Sequence, residues 1–347
     1  MSELRFDPLK KKWSVIATER SRRPHDFLVE RAECAHSDKN TLNCPFCYGN
    51  EEHTPTEIFA LRPSNKANEP DWLTRVIPNK YPAFGIEGEL LRSGDGMYDT
   101  VSGIGAHEVI IETPKHEMRL ADYDRNTVYN LFYTFRERVR DLSKDIRFRY
   151  IMPFKNYGCG FGAAINHPHS QVIALPVLPF ILKTKLKSAK EYYERKERCI
   201  FCDILAQEHK DNSRIVYENQ DFIAFCPYAS AFPFELSIYP KKHAHSFSAI
   251  SESELGSLSD MISEVFHRLD RVLENPPLNM VIHTSPPLNY RPGKPDFWHS
   301  IKYDFHWHIE IAPRLTGYAG FEWGTGFHIN PVRPEEASDY LRQAGKL

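Results

Sequence analysis

The sequence lacks most of the features that assign a protein quickly. No stretch approaches the roughly 18 consecutive apolar residues of a membrane-spanning helix. The opening Met-Ser-Glu-Leu-Arg-Phe-Asp-Pro has no basic segment leading into an apolar one, so no secretory signal is read there and a cytoplasmic location is expected. Charge of one sign is missing too. With 44 basic and 46 acidic residues, the net charge of −2 over 347 residues gives no field for holding nucleic acid. No Gly-x-x-x-x-Gly-Lys-Ser/Thr loop occurs, and no Gly-x-Gly-x-x-Gly follows a first strand, so the P-loop and dinucleotide folds lose their marker. Cysteine is sparse and odd in number: Cys34, Cys44, Cys47, Cys159, Cys199, Cys202 and Cys226 do not form a disulfide framework. What is present is a hydrophobic content of 41% with 13% aromatics, which excludes a mainly disordered chain.

Little in the first 100 residues is regular, and residues 61–70 and 84–103, rich in Pro, Gly and polar side chains, read as loops. Regularity begins with Glu-Val-Ile-Ile at 108–111, leading to His116. Val128, Leu131, Phe132, Phe135, Val139 and Leu142 then fall on one face of a helix that Asp124 or Asn126 can cap. A strand at 148–154, a glycine-rich turn and a strand through His167 and His169 follow. The second half repeats the order. Residues 235–243 parallel 108–116, and Ser251 and Glu254 make a capping box. Leu255, Leu258, Ile262, Phe266, Leu269 and Leu273 give the apolar face, and a strand at 279–284 precedes His306-Trp307-His308. A Cys-x-x-Cys pair opens each half. Four elements in the same order point to an internal duplication. The expectation is an α+β fold of two halves, each an antiparallel sheet with one long helix packed on it, with domains at 1–180 and 190–347. The join, rich in Lys183, Lys185, Lys187 and Lys190, reads as a solvated helix face.

Two cysteines three apart supply half of a tetrahedral zinc site. Cys44 and Cys47 find their best partners in His116 and His167. Cys199 and Cys202 find theirs, by the same logic, in His243 and His306. Two zinc ions are expected; the bland alternative is reduced, buried cysteines with histidines that cap loops. Strand alternation puts His167, His169 and Gln171 on one face. If His167 is tied to metal, His169 is left with an open imidazole, the arrangement of a nucleophile toward phosphorus. Gln171 is a neutral donor for a phosphate oxygen, and Gly158, Gly160 and Gly162 can present backbone N–H groups to the same phosphates. His308 repeats the position of His169, but Glu310 replaces the glutamine and would repel phosphate. That copy therefore reads as a metal or substrate-positioning centre.

The run Asn166-His167-Pro168-His169-Ser170-Gln171 resembles the active-site strand of the galactose-1-phosphate uridylyltransferase family, within the histidine-triad superfamily. The likeness extends to Arg22-Arg23-Pro24, Cys44-Pro45-Phe46-Cys47, Asn79, Asn156, Phe305-His306-Trp307-His308 and Glu322. It implies a duplicated histidine-triad-like fold, a homodimer whose sites draw on both subunits, and double displacement through a nucleotidyl-histidine. UDP-glucose and a hexose 1-phosphate such as galactose 1-phosphate would be the substrates. His169 would be the nucleophile, with Gln171 holding the transferred phosphate. Cys44, Cys47, His116 and His167 would bind zinc. Arg23, Asn79 and Asn156 would contact nucleotide or phosphate, and Phe321 and Glu322 the hexose. The second metal set matches only part of the family, and His308 matches a ligand in members without the second Cys pair. Ser170 stands where the best-known members have glycine, and Asn166 where they have proline. Ser170, with 282–286 and Gly324-Thr325-Gly326, resembles a plant-type branch that converts ADP-glucose and phosphate to glucose 1-phosphate and ADP.

Overall fold

A computed structural model describes residues 2–29, 44–64, 66–158, 165–289 and 298–346. The strands are β1 (Glu3–Asp7), β2 (Lys12–Ile16), β3 (Phe59–Leu61), β4 (Thr74–Pro78), β5 (Arg92–Asp95), β6 (Tyr98–Val101), β7 (Ala106–Ile111), β8 (Tyr150–Tyr157), β9 (His169–Leu175), β10 (Ile215–Glu218), β11 (Phe222–Phe225), β12 (Leu236–Pro240), β13 (Leu278–His283), β14 (His308–Pro313) and β15 (His328–Asn330). The helices are α1 (Pro24–Val29), α2 (Arg125–Leu142), α3 (Phe180–Lys196), α4 (Ile200–Asp211), α5 (Glu252–Leu273), α6 (Ile301–Asp304), α7 (Gly320–Thr325) and α8 (Pro334–Ala344). Among the described residues no helix is long and apolar enough to cross a membrane.

Ten strands form one sheet in the order β10-β11-β12-β14-β13-β8-β9-β7-β4-β3, every neighbouring pair antiparallel. From the seam between β13 and β8 outward, each side repeats the other. Strands β8, β9, β7, β4 and β3 match β13, β14, β12, β11 and β10, and the helix between the third and fourth strand in chain order is α2 in one half and α5 in the other. The expected duplication is thus visible, but its two sheets are joined edge to edge into one. The apolar stripes explain the layer behind it: every apolar residue named above on α2 and on α5 is buried, and the two helices pack side by side against the sheet. Asp124 caps α2 by accepting from Thr127 N–H at 2.7 Å, and Ser251 with Glu254 makes the capping box of α5.

The reading of 84–103 as loop needs correction. Strands β5 and β6 pair there as a hairpin that closes between Asp95 and Tyr98, with Gly96 at φ +59° in its two-residue turn. The signal was present in Asp95-Gly96, but exposure of every residue in both strands removed the apolar alternation that marks a half-buried strand. A small sheet of β1, β2 and β15, with β15 parallel to β2, was not foreseen either.

On the helix side of β9 lies a buried polar cluster. The Lys155 ammonium donates to both oxygens of Glu112 (2.7 and 2.8 Å) and to the His169 carbonyl (3.2 Å), while the Ser170 and Tyr123 hydroxyls donate to Glu112. Burial alone would raise the Glu112 carboxyl, but the Lys155 charge and these donors hold it below its ordinary value. The stability this contributes is present above the unfolded carboxyl pKa and is lost as pH falls through the lower folded one. Glu112→Gln strands a buried ammonium and is expected to cost about 3–5 kcal/mol in denaturant titrations at neutral pH, with a shallower loss of stability on acidification. Glu112→Gln with Lys155→Met should recover part of that loss.

Candidate active site and metal centres

The first Cys pair sits in a tight turn closed by Cys47 N–H to the Cys44 carbonyl at 3.2 Å, which Asn50 also caps through its side chain at 2.7 Å. Gly49, at φ +88°, relaxes the exit from that turn. His116, beyond the end of β7, and His167, just before β9, reach the sulfurs. Cys44 Sγ lies 3.7 Å and Cys47 Sγ 3.6 Å from His167 Nδ1, and Cys47 Sγ lies 3.3 Å from His116 Nδ1. All four donor atoms fall within 4.8 Å of one another, a group that suits a metal ion. His167 is prepared as a ligand because its Nε2–H donates to the Thr113 carbonyl at 2.7 Å, leaving the Nδ1 lone pair aimed at the sulfurs. Burial and the neighbouring Cys44 push the Cys47 thiol up to about 12, so an arriving cation must displace its proton.

His169 opens β9 with the opposite tautomer. A carbonyl can only accept, so the 2.8 Å contact between His169 Nδ1 and the His167 carbonyl fixes the proton on Nδ1 and leaves the Nε2 lone pair free. Burial, with the Lys155 charge behind it, lowers the His169 pKa and keeps the ring neutral near pH 7. Phe46 packs edge-on at 5.7 Å. Gln171, two residues along, shares its face, and β8 brings Asn156 to that face as well, since Phe154 is paired with Gln171. Asn156 accepts from Asn279 across the seam at 2.9 Å. Asn79, just past β4, joins the same neighbourhood through His107: its Nδ2 lies 3.2 Å from His107 Nε2, and that nitrogen is 2.6 Å from Gln171 Oε1. Gly158 has φ +88°, and a Cβ there would meet Pro277 at 2.6 Å, so close packing as well as backbone freedom demands glycine. Gly160 and Gly162 lie outside the described residues, as do Cys34 and Cys159.

Three residues stand elsewhere in the chain. Arg23 is exposed ahead of α1, where its N–H donates to Asp26 at 2.7 Å. Phe321 and Glu322 are on α7, which packs on β15 of the small sheet, and Glu322 caps its own helix by accepting from Ala319 N–H at 3.1 Å.

The second Cys pair, at the start of α4, repeats the first. Cys202 Sγ is 3.3 Å from His243 Nδ1 and 3.7 Å from His306 Nδ1, and Cys199 completes the four-residue group. His243 Nε2–H donates to the Lys302 carbonyl at 3.0 Å, again freeing Nδ1. The hydrogen bond with Cys199, and those with His243 and His306, bring the Cys202 thiol down to about 3. His308 copies the tautomer of His169, with Nδ1–H to the His306 carbonyl at 3.0 Å. Its Nε2, however, accepts from Lys185 Nζ at 2.7 Å, and the ring is fully buried under Tyr239, stacked at 4.8 Å. Glu310, the counterpart of Gln171, is held ionised against its burial by Lys10 (3.0 Å) and Lys185 (2.9 Å). His283, His308 and Glu310 lie close enough together for a metal ion, but the Lys185 ammonium already stands among them. This corrects the reading of Lys185 as solvated and gives His308 no open nitrogen for substrate. Lys155, Glu112 and His107 were missed as site residues for one reason: their partners are remote in sequence, and no local spacing announces them.

The family model described as galactose-1-phosphate uridyl transferase, N-terminal domain, matches residues 1–179, and one of a domain of unknown function matches residues 105–344. ADP-glucose phosphorylase of Arabidopsis thaliana is 32% identical over 98% of this chain and 92% of its own. Galactose-1-phosphate uridylyltransferase of Thermotoga maritima is 28% identical over 99% of this chain and 98% of its own. The crystal structure of the Arabidopsis ADP-glucose phosphorylase with bound ADP-glucose superposes with a TM-score of 0.81 at 30% identity, covering 99% of this chain and 98% of that one. Matched along both halves, and with the histidine strand in place, the chain belongs to the galactose-1-phosphate uridylyltransferase family of nucleotidyltransferases.

Proposed function

We propose that the protein is a UDP-glucose:hexose-1-phosphate uridylyltransferase that works by double displacement on His169. The observation that carries this reading is the bond from His169 Nδ1–H to the His167 carbonyl, which leaves a neutral imidazole with a bare Nε2 on a rigid strand. That nitrogen attacks the α-phosphorus of the nucleoside diphosphate sugar, and the bond to the bridging oxygen breaks. The sugar 1-phosphate leaves as a stabilised anion and needs no general acid. A hexose 1-phosphate oxygen then attacks the nucleotidyl-histidine and restores His169. Gln171 holds a non-bridging oxygen in both steps. Asn79 and Asn156 contact the nucleotide, and Gly158, Gly160 and Gly162 hold its phosphates. Arg23, Phe321 and Glu322 complete the site from the second subunit of a homodimer acting in the cytoplasm. ADP-glucose phosphorolysis through the same histidine is the second reading, favoured by the Arabidopsis relative and by Ser170, whose hydroxyl is built into the Glu112 cluster.

Zinc is the ion we assign to Cys44, Cys47, His116 and His167 and to Cys199, Cys202, His243 and His306. Bonds of about 2.3 Å to sulfur and 2.0–2.1 Å to nitrogen at a tetrahedral angle give sulfur-to-nitrogen edges of about 3.6 Å. The observed edges are 3.3, 3.6 and 3.7 Å in the first group and 3.3 and 3.7 Å in the second. Bound there, zinc fixes the strand that carries the nucleophile. His167 orients His169 through its carbonyl.

Brief incubation with UDP-glucose or ADP-glucose, an alkaline quench and intact-protein mass spectrometry test the reaction. A UMP adduct on wild type, absent from His169→Gly, is expected, with turnover of the variant down at least about a thousandfold. An AMP adduct alone would establish the second reading, and no adduct with either would end both. Elemental analysis should find two zinc ions per chain. Cys199→Ser should remove one and lower the thermal midpoint while adduct formation persists, whereas Cys44→Ser should remove the other and suppress the adduct.

A further inference from the structure

The two ends of a glutamine amide have nearly the same shape and opposite polarity. Only the NH2 end of Gln171 can stabilise a phosphate oxygen gaining negative charge; the carbonyl end would repel it. Something must decide which end faces the reacting phosphorus, and the strand alternation that places the side chain does not.

His107, half-buried on β7, has the contacts to decide it. Its Nδ1 accepts from the Ala83 N–H at 3.1 Å, so that nitrogen carries the lone pair and the proton of the neutral ring is on Nε2. Nε2 is 2.6 Å from Gln171 Oε1 and donates to it. Asn79 cannot compete as the acceptor, because it turns its amide nitrogen toward Nε2 at 3.2 Å and its oxygen accepts from Tyr81 N–H at 2.9 Å. With its oxygen engaged by His107, Gln171 presents its NH2 group to the site. The other half offers an internal comparison. Strand β12 pairs with β14 at Leu236 and Ile311, and continuing that register by one residue puts Glu235 where His107 stands opposite β9. Glu235 and Glu310, the counterparts of His107 and Gln171, are both acids there and both hold Lys10. Histidine and amide occur together in one half, and neither occurs in the other.

We propose that His107 is a positioning residue for nucleotidyl transfer: it locks the Gln171 amide with its NH2 toward the phosphate and ties that orientation to the 79–83 segment. The inference rests on the double-displacement reading. It is tested by the rate at which the His169 adduct forms in rapid-quench mass spectrometry, using the full chain with whichever sugar nucleotide labels wild type. His107→Ala should slow adduct formation by about tenfold or more at saturating substrate, with KM and the unfolding midpoint little changed. In the Gln171→Ala background the same substitution should cost nothing further, because the two side chains act as one unit. His107→Gln, which can still donate, should recover part of the rate. His107→Glu should be slower than His107→Ala, because a carboxylate would turn the amide round. Equal costs of His107→Ala in both backgrounds, or no cost in the wild-type background, would overturn the positioning role. Failure of wild type to form any adduct would instead bring down the double-displacement reading beneath it.

Discussion

Most of the site depends on how His167 is tied down. One ring nitrogen donates to the Thr113 carbonyl, the other faces two sulfurs, and its own carbonyl receives the proton of the His169 ring. A residue held at three points cannot rotate without breaking a buried hydrogen bond, and leaving such a group unsatisfied costs about 1–3 kcal/mol. The Cys/His donor group and the His169 ring are therefore mechanically one object. Lys155 extends it by gripping the carbonyl of His169 from the helix side of the sheet.

The second half shows what the same framework does when those front positions are filled. His308 keeps the tautomer of His169, but its free nitrogen is spent on Lys185, and a carboxylate replaces the amide. Lys10, Lys185, Glu235 and Glu310 settle into a partly buried network where the first half keeps an open imidazole. The framework is repeated, but an open imidazole beside an amide occurs in one copy and a lysine fills its counterpart.

Patterns repeated along the chain made much of this legible. Residues such as Leu131, Phe135, Leu258 and Ile262 carry the 3.6-residue period that burial of α2 and α5 requires, so both helices could be read directly. Spacing also put Cys44 with Cys47 and placed His169 and Gln171 on one face of β9, whereas His167, expected in that strand, lies in the bend just before it. What escaped were partners that only the sheet brings together. Lys155 reaches Glu112 from 43 positions away, and His107 reaches Gln171 from 64. Lys185 was misread because the four other lysines on its helix do face outward to some degree, and a charge run carries no mark showing which member turns in. The β5–β6 hairpin escaped for the opposite reason: it buries nothing.

The seam between β13 and β8 has a consequence for how the molecule comes apart. It consists of backbone hydrogen bonding from Leu278 paired with Tyr157 to Val281 paired with Phe154, and Asn156 and Asn279 join across it. Each half is thus the neighbour that satisfies the other's innermost strand. Fraying of either half would bare a row of N–H and C=O groups in the middle of the sheet, beside β9. Opening the seam would cost both halves their innermost strand pairing at once, and His169 lies one strand away from that line.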